Sequence, residues 1–251
     1  MLPSGIRIWG LPKIPEIEPG MDLAETILAA LAQSGISCTG SMIFVIAQKV
    51  VSKAEGCIVR LQDVVPSPQA LAWAAKYRKD ARMVETVLRQ SRRIVRMDRG
   101  VIIAETHHGF VCANAGVDAS NAPAGTVILL PPDPDRSAEQ LRLRFERELR
   151  RNVAVILSDT FGRPWRTGLT NVALGIAGLS PFIDYRGQVD SFGRTLQSTV
   201  LAIADELAGA AELVMGKTGG VPAAIVEGFP FVAAAGSGKD LIRPAEDDLF
   251  R

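Results

Sequence analysis

Two short oxygen-rich segments hold the residues best suited to chemistry in this chain. The first is Asp159-Thr160, which follows the apolar run Val153-Ala154-Val155-Ile156-Leu157 after Ser158. A carboxylate at the end of a buried strand must be solvated, paired or metal-bound, because an isolated buried charge is very costly. Next comes Phe161-Gly162-Arg163-Pro164-Trp165-Arg166-Thr167-Gly168, read as a loop that brings Arg163 and Arg166 close to that carboxylate. Guanidinium pairs suit phosphate or carboxylate recognition, although an Asp–Arg ion pair capping a loop accounts equally well for the residues.

The second segment is Asn114-Ala115-Gly116-Val117-Asp118-Ala119-Ser120-Asn121. Here Asp118, Ser120 and Asn121 offer three oxygen ligands beside a glycine that frees the backbone. An Asx-turn ahead of a strand at 126–130 is the plainer reading. Two oxygen-rich loops without His or Cys point to hard cations such as Mg²⁺ or Mn²⁺.

Other motifs are weaker. Gly236-Ser237-Gly238-Lys239-Asp240 resembles half of a phosphate-binding loop, but the earlier glycine position holds Ala233 and Asp240 replaces the Ser or Thr that would hold magnesium. No G-x-G-x-x-G follows the first strand. Lys13, Lys49 and Lys53 are expected in loops, with Lys53 either a phosphate contact or an ordinary surface lysine. Met215-Gly216-Lys217-Thr218-Gly219-Gly220 could turn backbone N–H groups to an anion, or could be a glycine helix cap.

The elements that position these residues follow from periodicity. Strands are expected at 6–9, 42–47, 94–97, 101–105, 109–113 and 153–157. Leu23, Ile27 and Leu31 mark a helix over 22–33 that stops at Gly35, and 68–92 forms one or two helices. Ser137 and Gln140 read as the capping box of a helix over 137–150, with Leu141, Phe145 and Leu149 as its buried stripe. The helix over 199–214 is apolar nearly all round, which points to a core or an oligomer interface. The irregular alternation favours an α+β fold with a mixed sheet, in a single unit over 1–251 without a readable boundary.

Composition narrows the function classes. With 28 basic against 27 acidic residues the net charge is +1, so no global field draws nucleic acid or an anionic membrane. No apolar run reaches the ~18 to 20 residues needed to span a bilayer, and the N-terminus lacks a secretory signal. Cys38, Cys57 and Cys112 are odd in number and widely spaced, as buried reduced thiols of a cytoplasmic protein would be. His107 and His108, neighbours in a strand, would face opposite ways and share no metal.

Taken together, the ordered segments resemble the coenzyme F-420-0:L-glutamate ligase family. They are Gly10-Leu11-Pro12-Lys13-Ile14, Val51-Ser52-Lys53-Ala54-Glu55-Gly56, the 114–121 segment, Leu130-Pro131-Pro132-Asp133-Pro134-Asp135, Ser158-Asp159-Thr160-Phe161-Gly162-Arg163 and Ala204-Asp205-Glu206-Leu207. The tail from Leu241 to Phe250 looks like the bacterial branch, whose members often continue into a nitroreductase-like domain, which is not expected here.

The resemblance implies an intertwined homodimer that uses GTP with Mg²⁺ or Mn²⁺, and a monovalent cation as a further candidate ligand. It would phosphorylate the carboxylate of F-420-0, or its dehydro form, and let the amine of L-glutamate attack the acyl phosphate. By match to the family's motifs, Asp118, Asp159 and Thr160 would hold metal, while Leu11, Pro12, Lys13, Ile14, Lys53, Asn121 and the 215–220 segment would contact GTP. Gln48 and Lys49 stand at the nucleotide, where archaeal members tend to carry small hydroxyl residues. Lys217 stands where those members tend to carry an acidic metal ligand, so it would either neutralise charge in a cation's place or point to solvent. Arg163 and Arg166, chosen on charge and position, would take substrate phosphate or carboxylate. The rival readings are a non-catalytic deazaflavin- or nucleotide-binding module, and a ligase of the same scaffold acting on another carboxylate.

Overall fold

The computed structural model describes residues 5–248. Residues 1–4, which belong to the N-terminal segment read above, and 249–251, which include the end of the family-like tail, lie outside the described residues. In chain order the elements are β1 (Arg7–Gly10), α1 (Leu23–Ser34), β2 (Met42–Ala47), α2 (Gln48–Ala54) and β3 (Ile58–Arg60). Then come α3 (Pro68–Tyr77), α4 (Ala81–Arg89), β4 (Ser91–Asp98), β5 (Val101–Thr106), β6 (Val111–Ala113) and β7 (Thr126–Ile128). The last are α5 (Pro134–Leu149), β8 (Val153–Arg163), β9 (Arg166–Ala177), β10 (Ile183–Asp184), β11 (Val200–Leu201), α6 (Ile203–Met215) and β12 (Ala223–Glu227).

The fold is α+β with a mixed central sheet in the order β1-β12-β2-β8-β9. Only β2 and β8 run parallel, in register from Met42↔Val153 to Ala47↔Ser158, and the other neighbours are antiparallel. Both central strands are buried on two faces, as their unbroken apolar runs require. Strand periodicity sends Phe44 and Ile46 to the core under α1 and α5, while Ile43 and Val45 face α6. Phe44 stacks on Phe145 of α5 with ring centroids 4.4 Å apart. A separate cluster of α3, α4 and the β4-β5-β6 sheet packs around Val84, Val87 and Ile102. No helix among the described residues is long and apolar enough to cross a membrane.

Local chemistry sets the helix ends. Asp22 caps α1 by accepting from the Glu25 N–H at 2.9 Å, and Gly35 ends it with φ 72°. Helix α5 begins a turn earlier than its expected capping box: Asp133 is the N-cap and Pro134 takes the first turn, where its missing N–H costs nothing. Ser137 instead bonds Glu55 and the Asp133 carbonyl. Helix α6 is one-sided rather than apolar all round, burying Ile203, Leu207 and Ala211 while Leu213 stays 86% exposed. His107 and His108 lie in a turn, not a strand, and each bonds a different backbone carbonyl. All three cysteines are free, with Cys57 half-buried rather than buried.

The start of α5 is pressed onto β9. Asp135 accepts from the Ile176 and Gly238 N–H groups at 2.9 and 2.7 Å and from the Ser237 hydroxyl at 2.5 Å. The 236–240 segment therefore leads into a structural 3₁₀ turn, Gly238–Leu241, fastened to α5, and is not a phosphate loop. A β-carbon on Gly175 would stand 2.3 Å from the Pro134 carbonyl oxygen. Gly175→Ala should cost about 2–3 kcal/mol through this overpacking. Thermal unfolding should show it as a fall of roughly 4–10 °C. Gly40→Ala, which meets nothing within 4 Å, should leave the midpoint unchanged.

Candidate active site

The parallel pair ends at Ala47↔Ser158, and there the two strands part. β2 turns into α2, while β8 runs on for five residues and returns as β9. The gap between them is the floor of a cleft of about 300 Å³ at the carboxyl ends of the parallel strands, where open sheets commonly bind ligands. Its other walls are the 14–17 loop, the end of α6 and the 216–222 loop.

Lys49 and Lys53 sit four residues apart on α2, on one face of a helix rather than in the expected loop. Polar residues directly after a strand hide a helix this short from periodicity. Lys53 is only 4% exposed and its ammonium pairs with Glu16, so it is not a surface lysine. The Lys49 ammonium lies 2.6 Å from both Asp118 Oδ2 and Ser120 Oγ. Asp118 also accepts from the Ser120 N–H at 2.7 Å, so the expected Asx-turn exists and presents its carboxylate to Lys49. Burial opposes that charge, yet the bonds from Lys49 and Ser120 hold the Asp118 carboxyl below its ordinary range.

Asp159 has the opposite electrostatics. Burial pushes its carboxyl up to about 6, and only part of that is offset by the Thr160 N–H and the charges of Lys49 and Lys217; the Asp118 charge pushes it further up. The Cys112 thiol is likewise raised to about 12, first by burial and then by the Asp159 charge. On the other side of the strand, Thr160 faces its cross-strand partner Asn171, and its hydroxyl donates to Asn171 Oδ1 at 2.7 Å. The Lys217 ammonium reaches this corner, 2.5 Å from Thr160 Oγ1 and 2.8 Å from Glu212 Oε1, while its side chain stays 56% exposed.

The residues Ile14, Gln48, Lys49, Lys53, Asn121, Asp159, Thr160, Met215, Gly216, Lys217, Thr218 and Gly220 all line the cleft, and Asp118 reaches it through Lys49. Gln48 is buried and accepts from the Ser52 hydroxyl at 2.8 Å within α2. Leu11 does not line the cleft: it is a core residue with its N–H on the Ala223 carbonyl. Pro12, Lys13 and Gly219 are exposed and stand outside the lining. Gly216 ends α6, and both readings of its segment hold, since a helix cap and a cleft wall coincide there.

Arg163 and Arg166 are not brought to Asp159. The 161–168 segment is a β-hairpin, and these two residues pair at its exposed tip. Four extended residues from Asp159 to Arg163 cover about 13 Å. The charges that act on Asp159 are those of Lys49, Asp118 and Lys217.

Glu16, Ser158, Asn171 and Glu212 complete the polar part of the lining and were not expected. Recognising the hairpin would have set Asn171 opposite Thr160. A lone acid in the last turn of an apolar helix, against the helix dipole, was the available signal for Glu212.

Among the described residues no three His, Cys, Asp or Glu side chains converge into a metal cage. What exists is a partial set of hard oxygens on Asp118, Asp159 and Thr160. Mg²⁺ or Mn²⁺ completes such a set with water and substrate phosphates. The ammonium groups on Asp118 and Thr160 show that these oxygens already face positive charge. The donors fit a divalent cation.

The family model described as F420-0:Gamma-glutamyl ligase matches residues 12–228. The chain is 46% identical over 250 residues to the coenzyme F420:L-glutamate ligase of Methanothermobacter thermautotrophicus, covering 98% of this chain and 99% of that protein. It is 45% identical over 251 residues to the protein of the same name from Methanopyrus kandleri, covering 98% of each. The Archaeoglobus fulgidus protein of that name is 39% identical over 247 residues, covering 98% of this chain and 96% of its own.

The raised Asp159 carboxyl has a measurable consequence. Its folded value of about 6 lies above the ordinary 3.8, so the ionised group opposes folding, and that penalty is fully present above pH 6. The penalty fades as pH falls from 6 to 4. Asp159→Asn should therefore raise the stability of the ligand-free protein near pH 8, by up to roughly 2–3 kcal/mol. The gain should vanish below pH 4. Thermal melts across that range would show the two curves converging in acid.

Proposed function

Since the chain belongs to the F420-0:gamma-glutamyl ligase family and is a ligase, we propose that it joins L-glutamate to the carboxylate of F-420-0, or its dehydro form, in coenzyme F420 biosynthesis with GTP as the energy source. The acceptor carboxylate oxygen attacks the γ-phosphorus of GTP. The bond from that phosphorus to the β–γ bridging oxygen breaks, giving an acyl phosphate and GDP. The glutamate amine then attacks the acyl carbon, the bond to the phosphate oxygen breaks, and the amine proton passes to solvent. An amide and inorganic phosphate result.

The observation that carries this reading is the meeting, at one cleft, of two carboxylates with three lysines, two from α2 and one from the loop after α6. Phosphoryl transfer asks little covalent chemistry of a protein and much positioning and charge stabilisation. Lys49, Lys53 and Lys217 supply positive charge around the polyphosphate. Asp118, Asp159 and Thr160 would hold Mg²⁺ or Mn²⁺, which when bound neutralises phosphate charge. The floor residues and the 216–222 loop orient the nucleotide, and the apolar edge formed by Ile14, Val50 and Val221 excludes water from one side.

A cytoplasmic homodimer completes the proposal. Trp165 and Leu169, 78% and 68% exposed, stand on the β8–β9 hairpin, and Leu213 on α6. Large apolar side chains exposed on projecting elements are typical of surfaces that pack against another chain.

Mass spectrometry of F-420-0 incubated with glutamate, GTP and Mn²⁺ should show the acceptor gaining a glutamyl residue as GDP appears. Turnover with ATP but not GTP would overturn the choice of nucleotide, and no product with either would overturn the acceptor. Asp159→Asn should lower turnover by on the order of 10²–10³-fold, in line with loss of a charge that organises the transition state. Light scattering at micromolar concentration should give twice the chain mass; a monomer mass would remove the dimer.

A further inference from the structure

A second hollow begins where the cleft ends. Phe161 stands two residues beyond Asp159 on β8, about 7 Å along the strand and on the same face. Val172 is the cross-strand partner of Asp159 on β9. Both line a pocket of about 390 Å³, and neither lines the cleft. Phe110, nearly buried, lines it too and lies two residues before Cys112, the thiol that feels the Asp159 charge. The tail supplies a further apolar wall. Its Ile242 is pressed on the Gly109 turn, where a β-carbon would stand 3.2 Å away.

The chemistry of this pocket differs from that of the cleft. No lysine lines it, and half-buried Phe161, Val172 and Ile242 leave apolar surface towards one space. Aromatic and branched side chains around a pocket of this size suit a flat ring system. One carboxylate on the rim breaks the apolar lining. Asp205 accepts from the Ala173 N–H at 2.8 Å through Oδ1, and burial raises its carboxyl above the ordinary range. No ion pair among the described residues engages it. Its Oδ2 is left to accept an N–H from a ligand, and bonds to a charged acceptor are the strong ones.

We propose that this pocket holds a flat fused heterocycle by its N–H edge, and that the ring is the deazaflavin end of the acceptor. The assignment of the ring rests on the ligase reading above. A deazaflavin is flat and mostly apolar, and the pyrimidinedione edge of its ring carries an N–H for Asp205 Oδ2 to accept. The placement suits the reaction. A ring seated beyond Phe161 leaves the acceptor's other end, its carboxylate, to extend back along β8 towards Asp159. Guanine is also flat and has N–H groups, but the lysines that would meet its polyphosphate line the cleft and not this pocket.

Fluorescence anisotropy of 5-deazariboflavin, which has the ring but no carboxylate, reads the pocket directly, with calorimetric titration of GTP and Mn²⁺ as the control. Asp205→Asn keeps an oxygen for the Ala173 N–H and turns an N–H towards the ring. It should weaken deazariboflavin binding roughly tenfold or more, the worth of a hydrogen bond to a charged group. Its melting temperature should be no lower than native, because burial opposes the charge that it removes. Val111→Trp, at a pocket position 41% exposed, should fill the space and weaken binding as much. Both variants should bind GTP as the native chain does. Equal deazariboflavin binding by native and variant chains would overturn the proposal. So would weaker GTP binding by the variants, which would make this a guanine pocket. A fall in the light-scattering mass of Val111→Trp would overturn it too, by showing that a second copy covers the pocket. The ligase reading is judged separately, by whether the native chain adds glutamate to F-420-0.

Discussion

The parallel pairing of β2 with β8 is the constraint from which the rest of the site follows. Two fully apolar strands lie side by side in register, buried beneath α1 and α5 on one face and α6 on the other. Parallel strands need coverage on both faces, and that coverage holds their carboxyl ends at one level of the fold. At Ala47↔Ser158 the pairing ends and the backbones separate. Polar groups that follow on either strand then face a gap rather than a neighbour. Asp159 is at that edge because it comes one residue after the last paired position.

The same geometry explains the electrostatic tension of the cleft. Desolvation at the sheet's end penalises the Asp159 charge, while Lys49 and Lys217, from opposite walls, compensate only part of it. Asp118 bears the same penalty from burial, but the direct bonds from Lys49 and Ser120 outweigh it. Two carboxylates whose charges act on one another, one held ionised and one opposed by burial, therefore meet at this cleft. Perturbed groups of this kind concentrate at functional clefts. The stability forgone at Asp159 is matched elsewhere by conventional packing, such as the Phe44–Phe145 stack and the Asp135 clasp on Ile176 and Gly238.

Much of the scaffold is legible without coordinates. The unbroken apolar runs at 42–47 and 153–157 read as buried strands because period and length leave few alternatives, and the Leu23-Ile27-Leu31 stripe with Gly35 bounds α1. Errors gathered where polar or turn-forming residues sit inside regular structure. Gln48 to Lys53 looked like a loop, yet α2 buries Val51 and bonds Ser52 to Gln48. Gly162, Pro164 and Gly168 looked like a loop, yet β8 and β9 continue through two of them as a hairpin. Ser137 looked like a cap, yet Asp133 and Pro134 begin the helix sooner. The burial of Val51, the cross-strand pairing of the hairpin and the Ser137–Glu55 bond outweighed the local preference.

By itself, the sequence determined what is local or carried by ordered motifs: the central strands, the main helices, the two aspartates and the family-like segments around them. Only the tertiary structure decided which of these residues meet. Lys49 and Ser120 are 71 residues apart in the chain, and Lys217 and Thr160 are 57 apart. No periodicity reports a contact across such distances. It also decided which do not meet, since Arg163 and Arg166 lie near Asp159 in sequence and far along an extended strand from it. The reason is physical: hydrophobic period fixes the direction of a side chain relative to its own element, whereas the partner it reaches depends on how separate elements pack.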